Sequence, residues 1–432
     1  MKKTYRFSTP LVFVAILWLT ACNNFLEVQP ISVASEAAFY RTQQDAIVAT
    51  NGCYNALIEI YRGTTGNTAL WLFSEVMADD ATDPAAAIDN FTFDATNGNV
   101  ETLWRLYYTG IARCNTLVGR IGSIQMDEEL RTRLQLEARY LRAYYYFNLV
   151  RLYGEVPLIV EEVRGQNIPF PARTPVNEVY QQIVADLTAA EALPVSYPAS
   201  EAGRATRGAA KALLAKVHLT RREWQLAAAK AREVMELGVY QLLPNYADVF
   251  AVQNRNNAES VFEVQFGRGG QVGTGNPVTS FFFQQFAPQG SGAIVTGIAN
   301  SNGEGRMIPT PEFVNTAYEA NDPRRDASVR TFYLRPTGNR QDTVRVNYTI
   351  KYQDPQATAG GGLASGNGSE NGWRVIRYAD VLLMYAEALN EQGGGNPLAF
   401  EAINQVRRRA RGNTQALPDL RDLSQSELRS AI

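Results

Sequence analysis

Carboxylates are the one plentiful acid–base group in this chain, and histidine is almost missing. The single histidine, His218, and the three cysteines exclude His-based zinc sites, Ser-His-Asp triads, 2-His-1-carboxylate iron centres and all-cysteine metal sites. Asp79, Asp80 and Asp83 lack the alternating oxygen donors and central glycine of an EF-hand loop, so they read as a solvated turn. Glu161-Glu162 reads as a surface pair, and Gly267-Arg268-Gly269-Gly270 matches no phosphate-cradling loop. No cofactor and no metal is expected. What remains is non-covalent chemistry: aromatic faces laid against C–H surfaces, with carboxylates, amides and guanidinium groups for hydroxyls. Trp104 and Trp224 sit on amphipathic patterns and are expected in the core. Trp71 lies just ahead of Glu75 and Asp80, Trp373 closes a glycine-rich stretch, and Phe281-Phe282-Phe283 falls in a nearly uncharged one. Trp71, Asp80, Phe281, Phe283 and Trp373 are therefore the candidate ligand-binding residues.

The chain has 432 residues and a net charge of -2, enough length for a sizeable core and no basic field for nucleic acid. Lys2, Lys3 and Arg6 precede the apolar run Leu11–Leu19, which is too short to span a bilayer and reads as a secretory signal over 1–21. Leu19-Thr20-Ala21-Cys22 has the form of a bacterial lipoprotein cleavage site, with Cys22 the lipidated residue. Several acyl chains on one cysteine anchor a protein stably where one chain does not. Cys53 and Cys114 sit in apolar helical patterns and are expected as buried free thiols.

Those candidates must be positioned by helices. After an extended leader at 22–35, helical patterns dominate 36–250. Thr42 with Asp45 forms a capping box ahead of a helix that Gly63 stops, and further helices fall at about 100–121 and 127–152. Thr174 is expected to cap a helix whose first residue is Pro175. Residues 205–237 then read as a tetratricopeptide-like hairpin, with small alanines letting two helices approach closely and His218 facing inward. A related pair spans 375–410, with Asn396-Pro397 at its second start. Between the hairpins, ten glycines fall in 267–305 and six in 360–372, which no regular helix accommodates. Residues 251–373 therefore read as a loop-rich insertion with a few short strands, at 261–266 and 343–352, and 374–432 as a returning helical part. The expected fold class is mainly α, built from tetratricopeptide-like hairpins that carry a loop-rich, ligand-binding insertion.

Several motifs in order resemble one known family. They are Ala49-Thr50-Asn51-Gly52-Cys53-Tyr54, Leu103-Trp104 to Asn115, Leu141-Arg142-Ala143-Tyr144-Tyr145-Tyr146-Phe147 leading to Gly154-Glu155-Val156-Pro157-Leu158, and Arg204-Ala205-Thr206. Glu259-Ser260-Val261-Phe262, Ile376-Arg377-Tyr378-Ala379-Asp380-Val381-Leu382-Leu383, Ala386-Glu387-Ala388-Leu389-Asn390, Asn404 and Arg407 follow. Together they resemble the SusD/RagB family of outer-membrane nutrient-binding lipoproteins. That resemblance implies a SusD-like fold, an oligosaccharide ligand, and a SusC-like TonB-dependent outer-membrane transporter as partner. It implies no enzymatic activity and a lipid-anchored place on the outer membrane. Family members run on past the point where this chain stops, so the C-terminal packing is expected to be incomplete. Two other readings are a protein-binding envelope scaffold and a carboxylate-dependent glycoside hydrolase.

Overall fold

The computed structural model describes residues 39–62, 69–164, 171–267, 278–296, 302–354 and 368–432. The signal, Cys22 and the leader lie outside them, as do Gly63, Arg268 and most of the second glycine-rich stretch. Nine helices carry the frame: α1 (Gln43–Arg62), α2 (Gly98–Arg120), α3 (Glu128–Tyr153), α4 (Val176–Ala190), α5 (Arg207–Thr220), α6 (Trp224–Glu236), α7 (Tyr378–Glu391), α8 (Pro397–Arg411) and α9 (Gln425–Ala431). From α1 to α8 each packs on its neighbour in sequence, so the stack grows as hairpins, and α9 folds back onto α7. The chain leaves the stack after α6 and re-enters at α7, which packs directly against α6. No helix among the described residues is long and apolar enough to cross a membrane.

Helix ends follow the side-chain chemistry. Thr42 and Asp45 cap α1 reciprocally, at 2.8 and 3.2 Å. Asp127 accepts from Leu130 N at the head of α3, and Asn396 accepts from Leu398 N at the head of α8. Ser424 and Glu427 complete a capping box on α9. Thr174 does not cap α4. It forms a bridge with Val156, Pro175 takes the capping position without a side-chain bond, and the Thr174 hydroxyl instead accepts from Leu158 N.

The core follows the sequence pattern closely. The Tyr144-Tyr145-Tyr146 run on α3 is buried throughout, and Tyr145 Oη donates to the Cys53 carbonyl at 2.6 Å. Cys53 and Cys114 are buried and unbridged. His218 is buried with Nδ1 2.6 Å from Glu223. Arg142 on α3 reaches Asp186 on α4 with two bonds, at 2.8 and 2.7 Å, and also holds Asn115 on α2. This buried fork ties three helices at one point.

Three two-stranded antiparallel sheets form in and around the insertion, two of them at its junction with the frame. β1 (Ala81–Thr82) pairs with β3 (Ile308–Pro309), β2 (Ser260–Val264) with β6 (Trp373–Arg377), and β4 (Val329–Thr337) with β5 (Arg340–Thr349). The expected strand at 343–352 is β5, starting three residues earlier, and its partner β4 was not anticipated.

Gly110 decides how closely α2 approaches α3. A Cβ there would stand 2.5 Å from the Tyr145 ring, which its own hydrogen bond holds in place. Gly110→Ala is expected to cost about 1–3 kcal/mol by overpacking, despite the better helix propensity of alanine. The midpoint of urea unfolding checks this, and an unchanged or raised midpoint would refute the close-approach argument.

Candidate functional site

Two of the sequence candidates meet. Asp80 and Trp373 both line a cavity of about 330 Å3 between the frame and the insertion, with Glu75, Phe250, Tyr352 and Lys351 among its other walls. Each wall has a local cause. The short helix Leu70–Ser74 delivers Glu75 at its end, and Asp79, in the left-handed region at φ 61°, turns the chain into β1. The Thr310 N–H donates to the Asp80 carbonyl at 3.0 Å, so β3 docks against this turn. On the opposite side, β6 presents Trp373 and Arg374 because β2 holds its register, pairing Val264 with Trp373 and Glu263 with Arg374.

Trp373 is half-buried and braced on three sides. Its ring stacks on Tyr352 at 5.0 Å and 10°, meets Phe282 at 5.3 Å, and lies 5.5 Å from Tyr61 of α1. A ring fixed in this way offers its remaining surface without losing rotamer freedom on contact. Lys351 reaches the same cavity across the rings of Phe250 and Tyr246, with Nζ 4.9 and 5.8 Å from their centroids, and makes no ion pair among the described residues. Arg374 and Arg377 are already engaged. Arg374 donates to Asn371 at 2.6 Å and to the Gly372 carbonyl at 2.7 Å, and Arg377 donates to Glu259 at 2.8 Å.

The two cavity carboxylates share an electrostatic character. Burial raises the Glu75 carboxyl above its ordinary range, opposed by the Ser74 hydroxyl and by the positive charge of Lys351. Burial also raises Asp80, and the neighbouring charge of Asp79 adds to it. Among the described residues neither carboxylate is clasped by a guanidinium. Asp83, expected in the same solvated turn, is instead buried and paired with Arg306, whose Nε lies 2.9 and 2.8 Å from its two oxygens. Glu162 likewise departs from the surface reading, its side chain clasped by Arg120 at 2.6 Å and Arg164 at 2.8 Å.

The other aromatic candidates lie deeper. Trp71 is 1% exposed, with the Arg306 guanidinium 5.4 Å from its ring centroid. It joins Trp373 through a ladder of rings, from Trp71 to Phe286 at 5.3 Å, to Phe282 at 5.8 Å, and on to Trp373. Trp71 thus backs the cavity wall instead of facing a ligand. Phe281 and Phe283 are buried outside this ladder, since the short helix Phe282–Gln285 turns Phe282 and Phe286 toward it. Tyr352, Lys351 and Glu75 were not singled out from sequence. Their only signal was a tyrosine and a lysine at the end of a β-like run and an acid four residues after Trp71.

The chain has counterparts among known proteins. Residues 24–219 match a family model described as starch-binding and associating with the outer membrane, and residues 333–432 match the SusD family model. SusD-like protein P2 of Formosa agariphila is 31% identical over 97% of this chain and 85% of its own length. A SusD superfamily protein from Parabacteroides distasonis superposes with a TM-score of 0.76 at 28% identity, covering 89% of this chain and 83% of that one. A laminarin-binding SusD-like protein superposes with a TM-score of 0.75 at 26% identity, over 90% of this chain and 87% of that one. With its stacked helical hairpins, its insertion-walled cavity and a relative alike along nearly its whole length, the chain belongs to the SusD/RagB family.

Proposed function

We propose that the chain captures oligosaccharides in the Trp373 cavity, without cleaving them, and passes them to a SusC-like TonB-dependent transporter. The observation that carries this reading is the braced Trp373 ring sharing one cavity with Glu75, Asp80 and Lys351. An apolar platform with hydrogen-bonding groups across from it suits the two surfaces of a pyranose ring. The laminarin-binding neighbour and the starch-binding family description support a carbohydrate as the ligand.

Capture without hydrolysis also fits the electrostatics. A glycosidase separates the pKa values of its two carboxylates, so that one stays protonated while the other stays ionised. Here burial pushes Glu75 and Asp80 in the same direction, and among the described residues no guanidinium pairs with either one. Tethering through Cys22 would keep the cavity close to a transporter, so modest single-site affinity is enough.

The deciding experiment is retardation of the secreted chain, with Cys22 replaced, in gels containing a panel of polysaccharides, alongside a reducing-sugar assay. Retardation with no sugar released is the expected result, and release of reducing ends would overturn the non-enzymatic reading. Trp373→Ala is expected to weaken retention at least about tenfold, equivalent to roughly 1.4 kcal/mol. Trp71→Ala should instead destabilise the fold by about 3–5 kcal/mol, because it empties a core position. Equal retention of wild type and Trp373→Ala would place the ligand elsewhere.

Glu75 provides a pH test. Its carboxyl is raised in the folded protein, so the folded state holds the proton more tightly than the unfolded chain does. Its contribution to stability is therefore complete at low pH and is lost as pH rises through the raised folded value. Glu75→Gln should raise the melting temperature at pH 7.5, leave it unchanged near pH 4, and weaken glycan retention at both. A melting temperature unaffected at pH 7.5 would show that burial does not penalise this carboxylate.

A further inference from the structure

The β4–β5 hairpin presents one face that is exposed among the described residues. Side chains two apart on a strand share a face, which places Phe332, Leu334 and Pro336 in a row along β4. Their partners across the ladder are Arg345, Thr343 and Gln341 on β5. All six are exposed, with Phe332 at 44% and Leu334 at 42%. The short helix Ala293–Thr296 lies against the same strand and carries Ile294, also 42% exposed. Of the nine large apolar side chains exposed among the described residues, three thus gather on or beside this hairpin. Single exposed apolar residues are ordinary, whereas a grouped row beside cations marks a contact surface.

The charge is equally one-sided. Residues 329–349 hold Arg330, Arg335, Arg340 and Arg345 against one acid, Asp342, in a chain whose net charge is -2. Asp342 accepts from the Thr337 hydroxyl at 2.8 Å, and Arg335, directly across from it, makes no ion pair with it. Among the described residues Arg335, Arg340 and Arg345 take no carboxylate partner at all. Arg142, Arg306 and Arg407, by contrast, are each paired with a carboxylate. By the same alternation Arg345 shares the face of Phe332 and Leu334 while Arg335 and Arg340 lie on the other one, so the hairpin is amphipathic, apolar toward a hydrocarbon boundary on one face and cationic mainly on the other.

We propose that this hairpin rests on an anionic lipid surface, Phe332 and Leu334 entering the headgroup boundary while Arg335, Arg340 and Arg345 bind headgroup phosphates. The contact is separate from the lipid anchor and fixes how the body is oriented over the membrane. None of these five side chains lines the Trp373 cavity.

The test uses the secreted chain with Cys22→Ala, so that acylation does not contribute, and co-sedimentation with vesicles of phosphatidylcholine alone or mixed equally with phosphatidylglycerol. Wild type should bind the anionic vesicles, release with added salt, and bind the neutral ones far more weakly. The triple variant Arg335→Gln, Arg340→Gln, Arg345→Gln should bind the anionic vesicles roughly a hundredfold less, at about fivefold per arginine. Phe332→Ser with Leu334→Ser should weaken binding while preserving its salt dependence. Both variants should keep the wild-type melting temperature and glycan retention. Absence of wild-type binding to anionic vesicles, or equal binding by the triple variant, would overturn the proposal and leave the face to a protein partner.

Discussion

The arrangement depends on one buried carboxylate. Glu259 is fully buried just before β2, and it binds Arg377 at the end of β6 and Arg409 on α8. The Leu243 N–H donates to it at 3.2 Å, and the Glu259 carbonyl accepts from Tyr378 N at 2.8 Å. One residue therefore fixes where the insertion starts, where it ends, and how the last hairpin sits against both. Two guanidinium groups and a backbone donor offset the large desolvation cost of the charge, and removing any one partner would leave the others uncompensated. Glu263, four residues on and also buried, faces Arg374 at 3.7 Å. Trp373 keeps its place because β6 is held at both ends by these carboxylates.

The helical frame was legible because its rules are local. Alanines at the contacts of α5 and α6, leucines at helical spacing and recognisable caps each act within a few residues, and the hairpins form where they predict. Thr174 misleads for a related reason. Its hydroxyl and the following proline have the composition of a helix start, but pairing with Val156, which lies far off in sequence, claims the residue first. The β4–β5 hairpin carried a readable signal that the glycine-rich surroundings obscured. Gly338-Asn339 is a two-residue turn between alternating runs, and Gly338 takes the positive φ, 60°, that such a turn requires.

The site was only half legible. Trp373 and Asp80 come together because strand register carries them there, and no spacing in the chain shows that 293 positions of separation become one cavity. All three rings of the Phe281-Phe282-Phe283 run are buried, and the helical turn at 282–285 decides that Phe282 is the one that meets Trp373. Asp83 resembled its neighbours Asp79 and Asp80 in sequence, and only Arg306, more than two hundred residues later, separates it from them. Lys351 could not have been ranked above other lysines, because its interest lies in having no carboxylate partner among the described residues.

The re-entry of the chain at α7, directly against α6, has a consequence for how the family diversifies. The two ends of a long excursion are brought together by helices that belong to the stack, so its length is nearly decoupled from the stability of the frame. Closing a loop twice as long costs only about 0.6 kcal/mol more. Selection can lengthen, shorten or replace the excursion, and with it the wall of the cavity, while α6 and α7 continue to recognise each other. The same separation orders events in time during synthesis. The first six helices emerge and can stack before the second wall exists, and the cavity forms last, when α7 docks.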